Sequence, residues 1–230
     1  MAFTGIYALL GFKLSSYFKP QRYIHSSIAT GAIIPSIDIL LLPLFLLLDI
    51  EGSTSSWSHS VFTISILTLS LFALSEYKKN SIYRQVGKGL AIGMLLHVVL
   101  DLILSSENVY IFWPLPINRF STMISTLSNM NIIFYLIDFF FIRLLASFML
   151  NSILITNIGH RWIAIALSYL MSLQLYFILL FILLFFAGAS HGSINNIFLF
   201  ASSLQLIFIV SCVSLLSINF ERLYKKEKQL

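Results

Sequence analysis

The chain has 230 residues, 58% hydrophobic and 10% charged, with a mean hydropathy of +0.92 and a net charge of +5. A soluble domain carries about a quarter charged residues, so a chain this poor in charge lacks the polar surface to cover itself in water. Within a bilayer the backbone must satisfy its own hydrogen bonds, which leaves helices or a closed barrel. Continuous apolar runs such as Leu40–Ile50 and Leu173–Ala187 lack the alternation of barrel strands. The predicted fold is all-α, a polytopic transmembrane helix bundle of about six main spans plus a short N-terminal helix.

The elements follow in chain order. Phe3–Phe18 is apolar but short, with no basic residue ahead of it and no small-residue cleavage site. It reads as a short or interfacial helix, or a partial span, and not as a signal peptide. The first main span, Tyr23–Ile50, contains Pro35 and Pro43 and is expected to kink or break. The next spans are His59–Tyr77, Val86–Leu104, Met130–Leu150, Trp162–Ala187 and Ile194–Phe220. Residues 1–120 carry the motifs discussed below. Residues 121–230 read as three additional spans with a basic tail.

Charge placement orients these spans. Lys13, Lys19 and Arg22 precede the first; Lys78, Lys79, Arg84 and Lys88 separate the second and third. Arg161 separates the fourth and fifth, and Arg222, Lys225, Lys226 and Lys228 follow the sixth. With six crossings, these all fall on one side. The opposite connections hold only Arg119 with Asp49, Glu51 and Glu107. The positive-inside rule places both termini in the cytoplasm of a cell (inner) membrane protein. The basic tail then anchors on anionic lipid, and no nucleic-acid partner is expected. The single cysteine, Cys212, lies in an apolar run and reads as a packing residue.

Ionisable groups inside spans are costly and mark functional sites by default. Here they are Asp38, His59, His97, Asp101, Asp138 and Arg143. Gly93, His97 and Asp101 recur every four residues, so they form one stripe on one helix face. Imidazole nitrogen and carboxylate oxygen are standard zinc ligands, so the stripe suggests a metal site close to a neighbouring backbone. The alternative is that Asp101 hydrogen-bonds a neighbouring helix. Asp38 follows Pro35, where a bend can turn its carboxylate into the bundle. His59 opens the second main span, with Ser58 as its expected N-cap. With six spans, Asp38, His59, His97 and Asp101 share one layer toward the non-cytoplasmic face. They offer four ligands, or three and an open position for a water nucleophile. Asp138 and Arg143 are five residues apart and share no face well. Each is expected to pair with a polar group in the bundle, or Arg143 to reach the cytoplasmic interface. His25, His160 and His191 read as interfacial or loop residues.

Pro35-Ser-Ile-Asp38, Ser58-His59-Ser60, Gly93-x3-His97-x3-Asp101 and Trp113-Pro114-Leu115 occur in an order that resembles the membrane-bound metal-dependent hydrolase family. That family is itself distantly similar to zinc-dependent phospholipases C. The resemblance covers about residues 1–120. It implies a divalent ion such as zinc held by Asp38, His59, His97 and Asp101. It also implies metal-activated water acting on a lipid-like ester or phosphoester, with Asp38 and Asp101 as the catalytic carboxylates. The chain departs from the family pattern at ligand positions. The family's Thr-His is Thr4-Gly5, its Pro-Asp-x-Asp is Pro35-Ser36-Ile37-Asp38, and the first His of its His-Arg-Gly-x-Thr-His-Ser block aligns with Thr54. So few ligands imply a single ion or none. The alternative function is therefore an inactive descendant, a membrane scaffold or accessory subunit. Its 21 phenylalanines could face lipid, membrane protein partners or pigments.

Overall fold

The computed structural model describes residues 4–15, 17–18, 23–37, 55–104, 110–115, 131–156, 161–188 and scattered positions within 194–207. Asp38, Pro43, Arg119, His160, His191, Cys212, most of the sixth expected span and the basic tail lie outside them. No strand occurs among the described residues. The helices are α1 (Thr4–Ser15), α2 (Ile24–Gly31), α3 (Ser55–Ser58), α4 (Val61–Lys78), α5 (Ser81–Leu104), α6 (Asn131–Thr156) and α7 (Arg161–Phe186), with a 3-10 turn at Ile34–Ile37. Three of them, α4, α5 and α7, are long and apolar enough to cross a membrane.

The front half is built on an α4–α5 hairpin. Ser60 caps α4, its hydroxyl accepting from the Phe62 amide at 3.1 Å. Lys79 ends the helix in the left-handed region, φ 48°. Asn80 then accepts the Ile82 amide at 3.0 Å, which starts α5. Two residues thus reverse the chain, and Arg84 pairs with Glu76 across the exposed turn. Helix α2 lies against α5 along Gly89 and Gly93. A Cβ on Gly93 would stand 2.2 Å from the Ile28 carbonyl oxygen. Glycine is needed there because the two backbones touch.

The back half packs α6 on α7. One apolar cluster joins Ile142, Leu145, Ala146 and Met149 of α6 to Ile163, Leu167 and Leu170 of α7. A second joins Tyr135 and Phe139 to Phe181, Phe198 and Ala201. Helix α1 lies between the halves, against α2 on one side and α6 on the other. Its 12 residues extend about 18 Å, too short for a hydrocarbon core of about 30 Å. Thr4, Gly5, Tyr7, Ala8, Gly11 and Ser15 are buried, so α1 packs against its neighbours as an internal strut.

One sequence expectation is met and one is corrected. The first main span is broken near Pro35. Helix α2 ends at Gly31, and the Ser36 amide bonds Ile33 at 2.9 Å in a 3-10 pattern. Pro35 has no amide, and its ring would collide with the carbonyl four residues back in an α-helix. The break therefore falls a turn ahead of the proline. Ser58 is not the N-cap of the second span: Ser60 takes that role, and His59 lies in the turn between α3 and α4.

Candidate metal centre

Three side chains, one from the turn before α4 and two from α5, converge where the α4–α5 hairpin is furthest from its basic turn. His97 Nε2 lies 3.2 Å from His59 Nε2 and 3.2 Å from Asp101 Oδ2. His59 Nε2 lies 2.6 Å from the same carboxylate oxygen. His97 is 0% exposed, and His59 and Asp101 are 3% exposed. Two nitrogens bound about 2.05 Å from a tetrahedral zinc lie about 3.3 Å apart, so two of the three edges already suit such an ion. The third edge is a hydrogen-bond length and would need to open by less than about 1 Å. Among the described residues, His59, His97 and Asp101 form the group whose ligand atoms could hold a metal ion.

The surroundings fix how each ligand presents itself. His97 Nδ1 stands 2.7 Å from the Ala32 carbonyl oxygen. A carbonyl only accepts, so Nδ1 carries a proton, and Nε2 is the ring atom turned toward the cluster. That carbonyl is available because of the local fold: in a continuous helix it would accept the Ser36 amide, which bonds Ile33 instead. The break before Pro35 thus supplies the outer partner of His97. His59 Nδ1 lies 2.8 Å from the Ser58 hydroxyl, which can donate or accept. His59 can therefore donate from Nε2 to Asp101 or present a lone pair there. Its turn is pinned from outside: Ser60 donates its hydroxyl to the Trp113 carbonyl at 2.6 Å, and the Val61 amide donates to Ile111 at 2.9 Å.

Tyr7 of α1 donates its hydroxyl to Asp101 Oδ1. Its ring stands edge-on to His97 with centroids 4.1 Å apart. One carboxylate oxygen thus bonds a neighbouring helix while the other faces the histidines, so both readings of Asp101 describe one side chain. Tyr7 and the Ala32 carbonyl were not foreseen from the sequence. A backbone carbonyl has no sequence signal. Tyr7 had one: a hydroxyl-bearing ring in an apolar helix needs a partner once buried.

Asp138 and Arg143 bond elsewhere and do not join the cluster. Asp138 Oδ1 accepts the Gly5 amide of α1 at 2.8 Å, and Arg143 donates to the Met171 carbonyl of α7. Asp38 lies outside the described residues. Comparison of the chain with protein-family models, curated proteins and solved structures gives no match. The site is therefore read from its own geometry.

Proposed function

We propose that the chain is a membrane-embedded metal-dependent hydrolase, with His59, His97 and Asp101 holding one divalent ion, zinc in preference. The observation that carries this reading is the convergence of two imidazole Nε2 atoms and one carboxylate oxygen, each with its outer atom bonded to a separate group. Metal-ligating histidines characteristically donate their other nitrogen to a carbonyl or similar acceptor. A bound zinc ion would supply Lewis acidity toward water and toward an ester or phosphoester oxygen. Asp101 would stay oriented by Tyr7, and His97 by Ala32. Asp38, a few residues beyond the Pro35 break, is the candidate for a fourth ligand or general base. The motif resemblance and the apolar helices favour a lipid-like substrate.

The same reading takes the chain as six spans with cytoplasmic termini. What supports it is that the cluster lies at the end of the hairpin opposite Lys78 and Lys79, with Asp101 one turn from the end of α5. Elemental analysis of the purified protein in detergent tests the centre. A stoichiometric divalent metal is expected, and it is expected to be lost in His97→Ala and Asp101→Ala. Native protein that takes up no divalent metal on titration would instead leave the scaffold reading standing.

A further inference from the structure

The back half contains a second set of buried polar groups that the metal centre does not use. Asp138 of α6, Gln174 of α7 and Gln205 are 1%, 0% and 1% exposed. Asp138 Oδ2 and both amide atoms of Gln174 and Gln205 have no hydrogen-bond partner. No Lys or Arg forms an ion pair with Asp138 among the described residues. Buried polar atoms are almost always satisfied, and in a bilayer lipid can satisfy none of these.

The three residues interrupt one interface. Phe139 stacks on Phe177 with centroids 5.4 Å apart, and Arg143 bonds the Met171 carbonyl. Gln174 lies between Met171 and Phe177, opposite the α6 stretch that begins at Asp138. Phe198 stacks on Tyr135 at 3.8 Å, and Ala201 and Gln205 follow it at successive helical turns. Each residue falls between members of the two apolar clusters: Asp138 between Tyr135 and Ile142, Gln174 between Leu170 and Phe181, Gln205 between Ala201 and Leu206. The three polar residues thus interrupt otherwise apolar packing among α6, α7 and the described positions of 194–207.

We propose that this polar set binds a small monovalent cation of sodium size, held by Asp138 Oδ2 and the amide oxygens of Gln174 and Gln205. Three considerations select that ligand. The atoms are sealed from solvent, which restricts any ligand to an ion or a few waters. Asp138 Oδ1 accepts the Gly5 amide at the positive end of α1, which favours the ionised carboxylate. A buried carboxylate then requires a counter-charge. A proton on Oδ2 could be donated to only one of the two glutamine amide oxygens, whereas a cation can be shared by all three oxygens. Hard oxygen donors with one net negative charge match an alkali ion.

The test is the thermal stability of the full chain in detergent, with NaCl exchanged against choline chloride at constant total chloride. A roughly hundredfold rise in sodium is expected to raise the unfolding midpoint by about 5 °C. Asp138→Asn keeps the acceptor for Gly5 but removes the charge, and is expected to abolish the rise. Gln174→Leu is expected to shift the half-maximal sodium concentration upward, and it carries the test if Asp138→Asn does not fold. His97→Ala is expected to retain the sodium effect, which separates this site from the metal centre. A midpoint indifferent to Na⁺, Li⁺ and K⁺ would overturn the proposal and leave waters among these groups. So would a sodium effect that persists unchanged in Asp138→Asn or Gln174→Leu.

Discussion

Each group in the cluster has two ends, and the outer end is as fully bonded as the inner. Tyr7 holds one oxygen of Asp101 so that the other faces the histidines. Tyr7→Phe keeps the ring against His97 and deletes only the hydroxyl. It is expected to weaken divalent metal affinity about tenfold with helical content unchanged, measured by competition with a chromophoric chelator. Glycine carries the close packing beside the cluster. Gly93→Ala would press a methyl onto the α2 backbone, which has no room to yield. It is expected to cost about 2 kcal/mol in thermal or denaturant unfolding. Gly87→Ala meets only the Leu71 and Phe72 side chains, at 3.1 Å and beyond, and is expected to cost far less in the same measurement. The Gly93, His97 and Asp101 stripe was legible from four-residue spacing alone. Its partners were not, because spacing says which residues share a face and nothing about what the face meets.

The helix that connects the two halves is only 12 residues long. Asp138 accepts the Gly5 amide at the start of α1, and Gly5 itself lies against the α6 backbone, a Cβ there falling 2.6 Å from the Ile142 amide. Two residues on, Tyr7 reaches Asp101. Asp138→Leu removes the anchor, so α1 is expected to shift and metal affinity to fall as it does in Tyr7→Phe. The two substitutions act along one path, so the double variant is expected to bind metal no more weakly than the weaker single variant. Fully additive losses in the same competition assay would refute the path. Helices α4, α5, α6 and α7 fall within a few residues of the apolar runs that mark them in the sequence. Helix α1 was left between an interfacial helix and a partial span, because 12 apolar residues carry no label for burial by protein as opposed to lipid. The early end of α2 was likewise hidden: proline marks a break, but the hydrogen bonds that shift decide which turn it takes.

For the molecule as a whole, the exposed surface of α4 and α7 is apolar. Ile66, Leu69, Leu179, Leu183 and Phe186 all lie open, as expected for chains solvated by lipid tails. The basic α4–α5 turn and the His/His/Asp cluster lie at opposite ends of one hairpin. In a Cys212→Ser background, Lys79→Cys is expected to react with membrane-impermeant maleimide only from the cytoplasmic side. Trp57→Cys, beside His59 and exposed, is expected to react only from the other. The reverse pattern would invert the orientation.

The placement of α1 also bears on synthesis. This helix is made before Asp101 and Asp138, which hold it and follow some 95 and 130 residues later. Its docking cannot be completed until α6 has been inserted. Helix α1 is therefore translated well before all of its native contacts can form, and a chain truncated after α5 would lack one wall of its seat.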